Sequence, residues 1–256
     1  MKNYLFIVVL SIILFSCKNE GCTDPVAINF DSSSNKNDGS CEYIYNLNIR
    51  FALTDNNIKL SDNDFISFDN NTLRIERFKL YFTDISVASQ SKIDNISDVF
   101  LFDLENESTH NFSTTISQDS FNELTFGVGL SEKLNSTTPI EYETNHPLGI
   151  DNGTHWTMNN ADSYIFAMIE GKFDTIGDGS FFNRTYHLAH NDLLKMVSLQ
   201  KEVYFNNEFN KTIEINIELK EVFEAIDLSS TLPHQSNNSP LAHQIMDNIK
   251  NAFEIQ

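Results

Sequence analysis

The chain has 256 residues, 36 of them acidic against 17 basic, for a formal charge of −19. A surface this negative repels nucleic-acid phosphates and anionic lipid headgroups, which argues against nucleic acid as a partner and against charge-driven membrane binding. The length suffices for one sizeable core, or one core with a small appendage.

The first element is a targeting segment. Lys2 supplies a short positive region, and Tyr4 to Phe15 form an apolar run broken only by Ser11. That run is too short to span a bilayer comfortably but has the length of a signal-peptide core. Leu14-Phe15-Ser16-Cys17 then resembles a lipobox, in which a small residue precedes the cysteine that becomes the acylated N-terminus. The competing readings are an ordinary secretory signal and a buried apolar strand. Lipoprotein processing would remove residues 1–16 and leave lipid on Cys17. It also resolves the odd cysteine count, because Cys22 and Cys41 then remain as a pair in an oxidising compartment, where a disulfide persists. Losing Lys2 takes the charge to −20, with 16 basic residues against 36 acidic. Membrane attachment must therefore come from the lipid. The expected location is the cell envelope, anchored to the outer membrane and facing either the periplasm or the outside.

Residues 17–42 read as a polar tether closed by a Cys22–Cys41 disulfide. From Gly21-Cys22-Thr23-Asp24-Pro25 to Asn37-Asp38-Gly39-Ser40-Cys41 the segment has turn chemistry throughout and few apolar residues, so it cannot bury a core. Closing a loop of this size stabilises by roughly 3 kcal/mol in the chain-entropy model. The segment resembles short GCTDP…DDGSC modules of exported proteins in the Bacteroidetes group. Asp31, Asn35, Asn37 and Asp38 suggest an acidic calcium loop, yet their spacing misses the EF-hand pattern with its glycine at position six. A plain stapled loop is the preferred reading, and calcium the alternative.

Residues 43–256 read as an all-β domain, an antiparallel β-sandwich with a short C-terminal helix. Tyr45, Leu47, Ile49, Phe51 and Leu53 fall on one face of a strand, with Asn46, Asn48 and Arg50 on the other. Ile213, Ile215, Ile217 and Leu219 repeat this period of two near the far end. Between them lie short runs rich in Phe and Ile, at 73–87, 99–104, 121–130, 164–173 and 181–188, separated by Asn, Asp, Ser and Gly. Such spacing indicates a sandwich rather than βαβ units. The apolar phase slips between Ile75 and Phe78 and again between Phe82 and Ile85, which predicts bulges or a strand break. Gly127, Gly129 and Gly171 suit bulges or close backbone approach. Ser239 and Pro240 begin a helix as N-cap and first turn, followed by Leu241, Ile245, Ile249 and Phe253 at intervals of four. The stretch 231–240 before it reads as a linker, with His234 solvated there and His243 solvated on the helix.

Enzyme signatures are missing: no G-x-S-x-G, no phosphate-binding glycine loop, no H-E-x-x-H, no C-x-x-C. The chain therefore reads as a binding protein and not an enzyme. One region carries candidate chemistry. His146-Pro147-Leu148 leads through Asn152-Gly153 to His155-Trp156-Thr157-Met158, then to the strand Tyr164 to Gly171. Tyr186-His187-Leu188-Ala189-His190 follows downstream. Trp156, the only tryptophan, sits between potential soft ligands. Imidazole and thioether suit copper(I), whereas an oxygen-rich acidic pocket would suit calcium. His187 and His190 would face opposite sides of one strand and act together only if it ends between them.

Phe78-Lys79-Leu80-Tyr81-Phe82-Thr83-Asp84-Ile85, Phe126-Gly127-Val128-Gly129-Leu130, the block from His146 to Gly171, and Tyr186-His187-Leu188 together resemble the MbnP-like family of copper-binding periplasmic and lipid-anchored proteins. The resemblance runs from about Leu47 to the C-terminus. It implies a β-sandwich, a tryptophan that a partner di-haem peroxidase can oxidise to kynurenine, and histidines that join the modified ring in holding Cu(I). Carried onto this sequence, Trp156 is that tryptophan. His155, His187, His146 and Met158 complete the candidate ligands. Two departures are visible: Met158 stands where some relatives have histidine, and the first strand, Leu47 to Leu53, has no histidine.

Each residue also has a plainer role available. Trp156 suits a core or interface anchor, His187 a hydrogen-bonded structural position, His155 and His146 solvated loop positions, His190 an exposed turn, and Met158 a core gap. Two further functions compete with copper binding. One is a non-catalytic binding or adhesion module with an exposed aromatic cluster near the loop ends; the other is a structural envelope protein.

Overall fold

The computed structural model describes residues 18–68, 71–156, 163–206, 208–229, 234–236 and 239–256. Residues 1–17, where the signal peptide and the lipid anchor are expected, lie outside them. The chain divides into two compact units, one ending at Ile44 and the other running from Tyr45 to Gln256.

In the first unit, strands β1 (Glu20–Gly21) and β2 (Lys36–Asn37) pair in parallel. Cys22 and Cys41 are bridged, with their Cα atoms 4.8 Å apart. The polar side chains make turns. Asp24, Asp31 and Asp38 each accept the backbone N–H two residues on, at 2.9 Å, and Asn37 accepts that of Gly39 at 2.8 Å. Asn35 accepts the N–H of Asn19 at 3.2 Å. Hydrogen bonds from Val26 to Asp24, from Ser33 to Asp31 and from Ser40 to Asp38 hold these carboxyls below their usual range. With the disulfide they do the folding work that a core would do elsewhere.

The second unit is a sandwich of two sheets. The larger contains β5 (Phe65–Phe68), β6 (Asn71–Ala88), β7 (Ile93–Asp103), β9 (Ser120–Val128), β12 (Ala167–Asp174), β13 (Phe182–Leu188), β14 (Lys195–Tyr204) and β16 (His234–Ser236). The smaller contains β3 (Tyr45–Asp55), β4 (Ile58–Lys59), β8 (Asn111–Ile116), β15 (Asn210–Glu218) and β17 (Phe253–Ile255). Phenylalanines fill the space between them. Phe51 of β3 meets Phe82 of β6 at 4.2 Å and Phe100 of β7 at 5.5 Å between ring centroids, while Phe253 meets Phe126 at 5.0 Å. Phe51, Phe82 and Phe126 are fully buried, and burying such a ring contributes about 2 kcal/mol or more.

Strand β6 is the spine of the larger sheet. Along one edge it pairs first with β12 and then with β9; along the other, with β5 and then β7. The two phase slips are bulges within this single strand, not breaks. Glu76 is skipped where Arg77 faces Glu170 and Ile75 faces Gly171. Opposite β9, Asp84 (φ 51°) and Ile85 stand against Phe126 alone, and opposite β7 the register shifts after Ile85, leaving Ile96 of β7 as the extra residue. A Cβ on Gly171 would lie 2.3 Å from the Arg74 carbonyl oxygen, so only glycine lets the strands close at the first bulge.

The sandwich is not wholly antiparallel. β15 runs parallel to β3, and β16 parallel to β13, since each returns to the sheet after a long excursion. β16 falls inside the stretch read as a linker. Helix α3 (Pro240–Asn251) follows α1 (Glu132–Asn135) and α2 (Leu219–Val222) in the chain. Ser239 caps it by accepting the Ala242 N–H at 3.0 Å. It buries Ala242, Ile245, Met246 and Ile249. Leu241 is only half-buried, and Phe253 belongs to β17, because the helix ends two residues before it.

Candidate metal centre

Side chains of β6, β7, β12 and β13 alternate between the core and the outer face of the larger sheet. Phe102, Leu80, Ala167 and Leu188 form one inward row across the four strands, and Asp103, Lys79, Met168 and His187 the adjacent outward row. Arg77, Glu170 and Thr185 form the next outward row. Cross-strand pairing therefore brings ionisable and soft side chains together from segments distant in sequence.

The described residues between 129 and 166 cover this face. They leave the sheet where β9 ends and return where β12 begins, on either side of Tyr81: the Gly129 N–H donates to the Tyr81 carbonyl, and the Tyr81 N–H to that of Phe166. Tyr81 pins the excursion from below. Its hydroxyl donates to the Pro147 carbonyl at 2.8 Å and accepts from Thr154 at 2.6 Å. Burial pushes this phenol far above its ordinary pKa, so it stays a donor. The Tyr164 hydroxyl donates to the Leu148 carbonyl at 3.0 Å, and the Lys79 ammonium to that of Asn152 at 3.0 Å. The Asn152 amide bridges the carbonyls of His146, Pro147 and Gly149.

The excursion delivers Trp156. His155 and Trp156 form the two-residue strand β10, paired with β11 (Ser163–Tyr164). Consecutive strand residues point to opposite faces. Trp156 lies over His187, with ring centroids 5.7 Å apart and planes at 51°. His155 turns the other way and packs edge-on against Tyr164 at 4.6 Å. His146 stacks on Tyr142 at 4.3 Å, and its Nδ1 accepts the Leu148 N–H at 3.1 Å. Burial holds its pKa below the usual value, against a smaller upward pull from Glu143. His190 caps the turn after β13, which ends at Leu188. It is half-exposed, and its Nδ1 accepts the Asp192 N–H at 3.3 Å. Met158 lies outside the described residues. Of the histidines named from sequence, the structure thus brings His187 to Trp156, and it turns His155 and His146 toward tyrosines.

Sequence reasoning did not single out the partners of His187. Its Nε2 lies 2.6 Å from Glu170 Oε1, and Glu170 Oε2 receives Arg77 at 2.9 Å. Arg77 in turn donates to Glu105 at 2.7 Å. That bond, with the surrounding carboxylates Glu170, Glu105 and Asp103, outweighs burial and raises the Arg77 pKa. Lys79 pairs with Asp103 at 2.9 Å, largely out of water. Only the bulge beside Gly171 could have hinted at Glu170, since it fixes the register on which the pairing depends.

A carboxylate that accepts one imidazole N–H is the usual companion of a metal-ligating histidine. Met168, directly across from His187 and almost fully buried, adds a thioether on the same face. Among the described residues no three His, Cys, Asp or Glu side chains converge on one point. These donors fit a soft ion of low coordination number, as Cu(I) is, and do not fit an oxygen-caged divalent cation.

Two sheets packed on phenylalanine, with a tryptophan carried onto the outer face of the larger one, make this a β-sandwich whose candidate site lies on a sheet and not between sheets. The family model described as MbnP matches residues 23–244, and the chain belongs to the MbnP family. MbnP from Methylosinus trichosporium has a similar structure, at 15% sequence identity and a TM-score of 0.51, over 77% of this chain and 82% of that one. At such identity the likeness is one of fold. No curated protein matches the sequence.

Proposed function

We propose that this protein is an exported, lipid-anchored and non-catalytic binder of copper(I), with His187 as its central ligand beneath Trp156. One observation carries the reading: the half-buried stack in which Trp156 covers an imidazole already paired with Glu170. Family membership supports it, and so does the soft donor set of His187 and Met168. Copper bound there would be held as a closed-shell ion. His187 binds it, Glu170 orients His187, and the indole keeps water from the face it covers. Cys17 would attach the protein to the outer membrane, and a di-haem peroxidase would be the partner that oxidises Trp156. Intact mass spectrometry of the native protein, with metal analysis of the same sample, tests these points together. Lipid on Cys17, a closed disulfide and bound copper are the expected results. An unmodified Trp156 with no metal, after copper has been supplied, would turn the reading toward the following one.

An exposed aromatic cluster favours a second reading, a module that contacts a glycan or another protein. Phe65 and Phe182 are 63% and 51% exposed, and Phe65 meets Phe181 at 5.9 Å. Arg74 lies over the Phe65 ring at 6.0 Å. This reading expects binding that is indifferent to copper and lost in Phe65→Ala.

A further inference from the structure

We infer that Glu170 is the positioning residue of the site: it selects the His187 tautomer that presents Nδ1 as the ligating nitrogen, and Arg77 holds Glu170 in place to do so. The inference rests on the copper reading and deepens it.

The chemistry follows from donors and acceptors. A carboxylate oxygen 2.6 Å from Nε2 can only accept, so Nε2 carries the proton. A neutral imidazole so arranged has its lone pair on Nδ1. Of the two tautomers that free histidine interconverts, the site therefore keeps one.

Glu170 cannot swing away without breaking a second contact. Its other oxygen receives Arg77, and Arg77 is fixed from the far side by Glu105. The chain Glu105, Arg77, Glu170, His187 crosses three neighbouring strands and one strand-end turn, with links of 2.7, 2.9 and 2.6 Å. The bulge makes this geometry possible. Skipping Glu76 is what leaves Arg77 opposite Glu170, and Gly171 is what lets the strands approach there. Of the other cations on this face, Lys79 is committed to Asp103 and the Asn152 carbonyl, and Lys172 and Arg74 lie toward Glu76, which leaves Glu170 to Arg77.

Two measurements test this on the full protein. The first needs no metal: long-range proton–nitrogen NMR of the histidine rings reports which nitrogen of His187 is protonated. Wild type should show a single tautomer with the proton on Nε2. Glu170→Ala, which takes away the acceptor of the Nε2 proton, should give a mixture. The second is Cu(I) affinity by competition with a chromogenic chelator. Glu170→Ala should weaken it by about 10–100-fold, the usual cost of losing such a partner. Arg77→Gln should fall between wild type and Glu170→Ala. A proton on Nδ1 in wild type, or the same tautomer in Glu170→Ala, overturns the inference. If His187→Ala loses copper while Glu170→Ala keeps it, the inference fails alone. If His187→Ala keeps copper at wild-type affinity, the copper reading fails first.

Discussion

The indole of Trp156 and the imidazole of His187 stand 5.7 Å apart, their planes crossing at 51°, although 31 positions of chain separate them. Trp156 is the only tryptophan, so its emission reports on this one contact. Imidazole quenches a neighbouring indole by proton and electron transfer. His187→Ala should therefore brighten Trp156 fluorescence, while His190→Ala, on a half-exposed turn, should leave it unchanged. Identical spectra for wild type and His187→Ala would contradict the stacked arrangement.

Two glycines should respond very differently to a single methyl group. At Gly171 the added carbon meets the Arg74 carbonyl oxygen at 2.3 Å, a backbone atom that cannot move aside. Gly171→Ala should lower stability by about 3 kcal/mol, as overpacking does, and should also disturb Glu170 beside it. At Gly179 nothing lies within 4 Å, and only the left-handed φ of 83° opposes substitution. Gly179→Ala should cost about 1 kcal/mol and leave the site intact. Denaturant melts of the two variants provide the check, and equal losses would count against the bulge geometry.

Reducing the Cys22–Cys41 bridge should act on one unit only. The chain-entropy model assigns such a closure about 3 kcal/mol, and the first unit has little apolar burial beyond Cys22 and Ala27 to replace it. Hydrogen exchange on reduced protein should show lost protection for residues 18–44 and unchanged protection in β6 and β12. A global loss of protection would refute this independence.

His146 sets a pH dependence of stability. Burial places its folded pKa below the ordinary 6.5, so the unfolded chain takes up a proton first as pH falls. Stability from this group is complete above 6.5, declines as pH drops through that value, and levels off below the folded pKa. His146→Gln should flatten the decline between about pH 7 and pH 5. An unchanged slope, measured by urea midpoints across that range, would assign the decline to other groups.

Much of this fold was legible where local rules operate. Ser239 and Pro240 marked the helix start because capping and the fixed proline φ are properties of adjacent residues. The slips at Ile75–Phe78 and Phe82–Ile85 marked bulges because the pleat makes every phase change visible. What stayed hidden depends on register between distant strands. Nothing near Glu170 in sequence says that it will lie diagonally across from His187, or that Arg77 will be its neighbour. His155 and His146 were plausible ligands by proximity to Trp156, yet alternation sends His155 to the opposite face, and the turn at 146–149 stacks His146 on Tyr142. The parallel return of β15 was hidden for the same reason, since period two reveals a strand but not its partner.

That return has a consequence for how the molecule comes into being. Asn210 to Glu218 lie in register with Asn46 to Thr54, so an interior place beside the opening strand stays vacant until four-fifths of the polypeptide exists. Closure of so long a loop is entropically costly and slow. A nascent chain of this kind passes through most of its synthesis without a finished fold.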